Sequence, residues 1–154
     1  MSVNAQDHSL QTGHVGLNVS DLERSERFYR EVFGFQVIGK SQETGREFVF
    51  LADKEKLVLT LWQQSEGRFD KRQPGLHHLS FQVATIEEVK EAEGRLRVID
   101  VPLLYEGIVP HGEGAQSGGI FFEDPDGIRL EIYAPTGAGE HLAPTPGAPS
   151  CGFF

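Results

Sequence analysis

The sequence has a single cysteine, Cys151, so no disulfide can form within the chain. Basic residues are scarce: 14 Lys and Arg against 23 Asp and Glu leave a net charge of −9. Nucleic acid and anionic lipid both reward a basic face, so neither a nucleic-acid nor a membrane partner is expected. Long apolar runs are also missing, and none approaches the roughly 18 residues of a membrane helix. The opening MSVNAQDHSLQ has neither the basic n-region nor the apolar h-region of a secretory signal. These absences together point to a cytoplasmic protein. A length of 154 residues suits one domain able to bury roughly 70% of its unfolded surface.

The chain repeats itself. His14-Val-Gly-Leu-Asn-Val19 and His78-Leu-Ser-Phe-Gln-Val83 share one order: histidine, apolar, small, apolar, amide, valine. Alternation with period two makes each a strand with one polar and one core face. A helix start follows each, Ser20-Asp-Leu-Glu23 and Thr85-Ile-Glu-Glu88, with the hydroxyl-to-glutamate spacing of a capping box. The first helix carries Leu22, Tyr29, Val32 and Phe33 on one stripe and stops at Gly34. The second carries Ile86, Val89, Ala92 and Leu96 and fades near Arg97. Three strand-like segments come next in each half: 35–40, 46–51 and 57–63, then about 98–108, 119–123 and 128–133. Glu123-Asp-Pro-Asp-Gly127 is a strong turn between the last two.

The fold class is therefore α+β, with two tandem βαβββ modules at 13–63 and 76–134 joined by a polar linker at 64–75. A short tail, 1–12, precedes this single domain, and a Pro/Gly/Ala-rich tail, 135–154, follows it. Mixed sheets with matching polar faces would curl into a cup-shaped half-barrel around a shared cleft.

Strand parity assigns the faces. His14, Gly16 and Asn18 share one side of the first strand; His78, Ser80 and Gln82 share the polar side of the fifth, which turns His77 the other way. Glu131 lies with Arg129 and Tyr133, opposite Leu130 and Ile132. A glutamate in a central strand needs a cation or hydrogen-bond donors. His14, His78 and Glu131 could meet that need as ligands of one divalent metal, and a set of two imidazoles and one carboxylate suits Fe(II) above Mn(II), Ni(II) or Zn(II). The same pattern also accommodates structural histidines.

These residues resemble the vicinal oxygen chelate superfamily, which includes glyoxalase I, extradiol dioxygenases, bleomycin- and fosfomycin-resistance proteins and related epimerases. The likeness runs from Gly13 to Pro135. Its carriers are His14–Val19, Phe28-Tyr-Arg-Glu-Val-Phe-Gly-Phe35, Gly75-Leu-His-His-Leu-Ser-Phe81 and Asp124-Pro-Asp-Gly-Ile-Arg-Leu-Glu-Ile132. The resemblance implies metal ligands at His14, His78 and Glu131, a small-molecule substrate or ligand, and a homodimer in which one chain's His14 can meet its partner's pair.

Chemistry divides within that superfamily. A glyoxalase-like lyase uses a fourth ligand, a glutamate, where this chain has Thr60, so isomerase-type proton transfer is disfavoured. A dioxygenase uses three ligands, which fits. Two departures from its signature are Phe121 in place of a tyrosine and His111, which lies slightly too far upstream for the histidine expected before the seventh strand. His111 is the catalytic candidate, against the alternative of an exposed loop residue. Phe48, Phe50, Thr60, Trp62, Phe121, Arg129 and Tyr133 are the expected substrate-binding residues, a set richer in aromatics than in the cations a thiol transferase needs for an anionic antibiotic. The reading leans to a dioxygenase-like oxygenase. The alternatives are that thiol transferase and antibiotic resistance by sequestration without turnover.

The tail APTGAGEHLAPTPGAPSCGFF has the composition of a flexible extension, yet ends on an apolar Cys151-Gly-Phe-Phe154. A docked Phe153 and Phe154, over the cup or on a partner, is the alternative to a loose end.

Overall fold

In the computed structural model, which describes residues 9–154, each half of the chain folds into the same four-stranded sheet with one helix against it. The first module runs β1 (Val15–Val19), α1 (Leu22–Phe33), β2 (Gln36–Ser41), β3 (Phe48–Asp53) and β4 (Lys56–Gln63). The second runs β5 (Leu79–Gln82), α2 (Ile86–Val98), β6 (Val109–Pro110), β7 (Gly118–Glu123) and β8 (Arg129–Ala134). Strand order is β1-β4-β3-β2 in one sheet and β5-β8-β7-β6 in the other. The α1 and α2 crossovers make β1–β4 and β5–β8 parallel, while the hairpin-linked pairs are antiparallel. Among the described residues no helix is long and apolar enough to cross a membrane.

Local sequence explains both helices, with one correction. Thr85 and Glu88 form the expected capping box on α2, each satisfying the other's backbone N–H. On α1 the N-cap is Asp21, not Ser20: its carboxylate accepts from the Arg24 N–H. Ser20 instead donates both its N–H and its hydroxyl to Asp126 of the second module. Gly34 ends α1 at φ 72°, a left-handed conformation that suits glycine.

A second correction concerns residues 98–108, expected as a strand. They contain only an isolated bridge, Leu103 to Phe122, before the two-residue β6. Asp100 takes a left-handed φ of 57° and Gly107 one of 68°, and Pro102 has no N–H to donate, so a continuous ladder is impossible there.

Both modules share one core. Leu17, Val19, Val49, Leu51, Leu59 and Leu61 on the first sheet face α1, and Ile120, Phe122, Leu130 and Ile132 on the second face α2. Phe33 of α1 packs on Phe81 of β5 at 4.6 Å between ring centroids, joining the halves. Each such side chain, fully buried, contributes about 1.5–3 kcal/mol.

The Asp124-Pro-Asp-Gly127 turn clamps the modules together. Asp124 Oδ1 accepts from the Asp126 and Ile128 N–H groups at 2.8 and 2.9 Å, and Tyr29 of α1 donates its hydroxyl to Oδ2 at 2.9 Å. Arg24 pairs with Asp126 at 3.1 Å. This turn feeds directly into β8, and so fixes the position of Glu131.

Candidate metal centre

β8 is the inner neighbour of β5 and β7, which leaves Glu131 only 2% exposed. Ser80 lies beside it on β5 and Phe121 beside it on β7. Each carboxylate oxygen meets an imidazole: His111 Nε2 contacts Oε1, and His78 Nε2 lies 3.7 Å from Oε2. Among the described residues no lysine or arginine pairs with Glu131. Burial holds the His78 imidazole below its ordinary pKa, although the Glu131 charge pulls the other way. A neutral His78 has a lone pair to offer.

His111 is neither exposed nor idle. Its backbone N–H donates to the Ser117 carbonyl at 2.9 Å, closing the β6–β7 hairpin and turning the ring toward β8. Its Nδ1 lies 2.8 Å from the Ser117 hydroxyl, and its ring packs at 4.9 Å on Tyr133. Tyr133 in turn donates to Gln82 Oε1 at 2.8 Å, as a shared polar face requires. Arg129 is buried too, donating from Nε to the His77 carbonyl at 2.9 Å.

Parity fails at the histidine doublet. His77 and His78 precede β5, so strand alternation does not govern them, and their Nδ1 atoms approach to 2.8 Å. His77 therefore does not turn away from His78. Only His78 reaches the carboxylate.

The other expected residues sit on the first sheet. Phe48, Phe50 and Trp62 form a ring cluster with centroids 4.8 to 5.9 Å apart. Thr60, 2% exposed, accepts the Trp62 indole N–H at 3.0 Å and lies opposite Gly16. A threonine hydroxyl covered this way is not available as a fourth ligand. His14 is exposed at the head of β1. The register of the two modules matches: Gly16 pairs with Thr60 as Ser80 pairs with Glu131. His14 thus stands to Thr60 as His78 stands to Glu131.

Within the described chain these two sets stay apart. Phe121, Arg129 and Tyr133 gather around Glu131, while Phe48, Phe50, Thr60 and Trp62 gather on the other sheet. No three His, Cys, Asp or Glu side chains among the described residues converge as a metal would require. Sequence reasoning missed Ser117 and Tyr105; the latter packs on Phe121 at 5.4 Å.

Residues 11–132 match the Glyoxalase/Bleomycin resistance protein/Dioxygenase superfamily. The chain belongs to it. The catechol-2,3-dioxygenase of Bacillus subtilis strain 168 is 32% identical over 125 residues, 79% of this chain. The match spans only 40% of that longer protein. The fosfomycin resistance protein FosX of Listeria monocytogenes is 30% identical over 125 residues, covering 80% of this chain and 88% of FosX. The crystal structure of a glyoxylase/bleomycin resistance protein/dioxygenase domain from Frankia sp. EAN1pec superposes with a TM-score of 0.69 at 25% identity, over 82% of this chain and 98% of that one. Members of this superfamily bind a divalent metal, and a variant of FosX has been crystallised with Mn(II).

Proposed function

We propose that the chain is a metal-dependent oxygenase of the dioxygenase kind, acting on an aromatic compound whose neighbouring oxygens chelate the metal. The observation that carries this is the buried Glu131 carboxylate, flanked by imidazoles and, among the described residues, by no lysine or arginine partner. A buried charge of that kind calls for a metal ion. His78 and Glu131 would hold it, with Fe(II) best suited to the donor set and Mn(II), Ni(II) or Zn(II) also served. The third ligand would be His14 of a second copy, with His111 left beside the carboxylate as a proton carrier. A metal so bound supplies Lewis acidity and, as iron or manganese, redox capacity. His111 would hold or move the substrate proton at Nε2, kept in place by Ser117. Phe121, Arg129 and Tyr133 would line one wall, and Phe48, Phe50, Thr60 and Trp62 of the partner the other.

The similarity to the catechol dioxygenase supports this chemistry, and the residue types weigh against the other branches. A reaction on an anionic antibiotic would need several cations in the cup, and among the residues proposed to line it only Arg129 carries a positive charge. Thr60, capped by Trp62, offers no carboxylate base for a glyoxalase-like lyase. Sequestration without turnover would leave the His78–Glu131 pair without a purpose.

Metal analysis of protein purified without a histidine tag tests the proposal. Near-stoichiometric metal is expected, lost in His78→Ala and kept in His77→Ala, with oxygen uptake on adding catechol to the iron-loaded protein. Metal-free protein that binds an aromatic antibiotic and consumes no oxygen would overturn it.

A further inference from the structure

The face that carries His78 and Glu131 is not bare, because residues 150–154 lie across it. Ser150 is fully buried; its N–H donates to the His111 carbonyl at 2.9 Å and its hydroxyl to the Pro110 carbonyl. Tyr105 donates its own hydroxyl to the Ser150 carbonyl at 2.9 Å. These three bonds moor a single 3-10 turn, Ser150–Gly152, to β6 and to the loops on either side of it. Beyond the turn the Phe154 ring rests 4.6 Å from the Phe121 ring and 5.5 Å from that of His78. The Phe154 carbonyl accepts from Arg129 Nη1 at 2.8 Å, and the guanidinium carbon lies 5.3 Å from the ring centroid.

Phe153 makes no comparable contact and is 67% exposed, so it is one ring that the face selects, not a sticky end. The slot offers a phenylalanine floor, a tyrosine side, an imidazole edge beside the carboxylate, and a guanidinium that seeks an acceptor oxygen. Rings meeting at tilted to edge-on angles of 49 to 74°, with a guanidinium over the ring, suit an aryl group.

We infer that Ser150–Phe154 is a strap whose Phe154 ring occupies an aryl-binding slot formed by Phe121, Tyr105, His78 and Arg129, so that a ligand enters by displacing it. The ligand class is an aromatic compound bearing a hydrogen-bond acceptor directed at Arg129. This rests on the reading of the His78–Glu131 face as the site. A closed strap weakens apparent affinity by the fraction of open molecules.

The test uses nitrocatechol as probe, followed by its absorbance, with the full chain and two variants. Phe154→Ala should bind it on the order of tenfold more tightly, while Phe153→Ala should bind as the parent does. Cys151, the sole cysteine, sits in the strap and reports its release without any turnover. Saturating nitrocatechol should speed maleimide labelling of Cys151 severalfold in the parent chain. Equal affinity of parent and Phe154→Ala, with unchanged labelling, would overturn the strap and leave the site reading standing. Failure of all three proteins to bind the probe would remove the site reading, and the strap with it.

Discussion

Replacing Asp124 by asparagine isolates the charge of one buried carboxyl whose hydrogen bonds join the two modules. The Asp124 carboxyl is pushed up from its ordinary 3.8 to about 6, because burial outweighs the three donors that favour its ionised form. A carboxyl whose folded pKa exceeds its unfolded value opposes folding when ionised. That penalty is full above the folded pKa, shrinks as pH falls, and vanishes below the unfolded value. A shift of about two units corresponds to about 3 kcal/mol, of which about 2 kcal/mol should be relieved between pH 7 and pH 4. Asparagine keeps the acceptor for the Asp126 and Ile128 N–H groups, and its amide can donate to the Tyr29 hydroxyl once that group rotates. Urea denaturation of both proteins at several pH values cancels the titration of every other acid. The parent should therefore gain about 2 kcal/mol on the variant as pH drops from 7 to 4. A flat difference, or one in which the parent loses ground in acid, would mean that the three donors win, and would refute the reasoning by its sign.

Tyr29→Phe removes the donor to Asp124 Oδ2, and should cost about 1–3 kcal/mol in chemical denaturation for the oxygen left unpaired. Gly119→Ala should be worse, because its Cβ would lie 1.9 Å from the Ile132 carbonyl oxygen and 2.5 Å from Tyr133 Cα. Since backbone cannot yield cheaply, a loss of about 3 kcal/mol or more is expected, with metal content falling as β8 shifts. If the centre is shared between copies, mixing His14→Ala with Glu131→Ala after unfolding and refolding should restore metal to about a quarter of the sites; no restoration would place the whole centre within one chain.

The doubling was legible because it rests on local rules: the alternation of β1 recurs in β5, and a side-chain-capped helix follows each. Parity succeeded where the strand is regular. Arg129, Glu131 and Tyr133 share a face because β8 is an unbroken ladder on both sides. It failed at His77, which lies outside β5, and across 98–108, where backbone conformation at Asp100 and Gly107 overrides the apolar spacing. The placement of His111 was not legible, since the Ser117 contacts that aim it depend on how the hairpin closes rather than on any period. The tail misled by composition: Pro, Gly and Ala speak for looseness, yet Ser150 is buried by three specific bonds and only the final Phe154 hints at docking.

Comparing the two modules residue for residue sharpens the stoichiometry of the proposed centre. Because Gly16–Thr60 and Ser80–Glu131 are equivalent pairs, each chain carries two pseudo-equivalent positions for a ligand-bearing strand end. Only one of them has a carboxylate. At the other, Thr60 spends its hydroxyl on the Trp62 indole, and three aromatic rings cover the surrounding strand face. The first module can therefore donate an imidazole and an aromatic wall but cannot hold a cation alone. The second holds the charge, with His78 and His111 against it, and in the proposed centre spends His111 on the substrate proton. Each half supplies what the other lacks, yet within one chain the two clusters stand on separate sheets. Facing copies would bring one module's wall over the other's carboxylate, giving one metal for each chain rather than two.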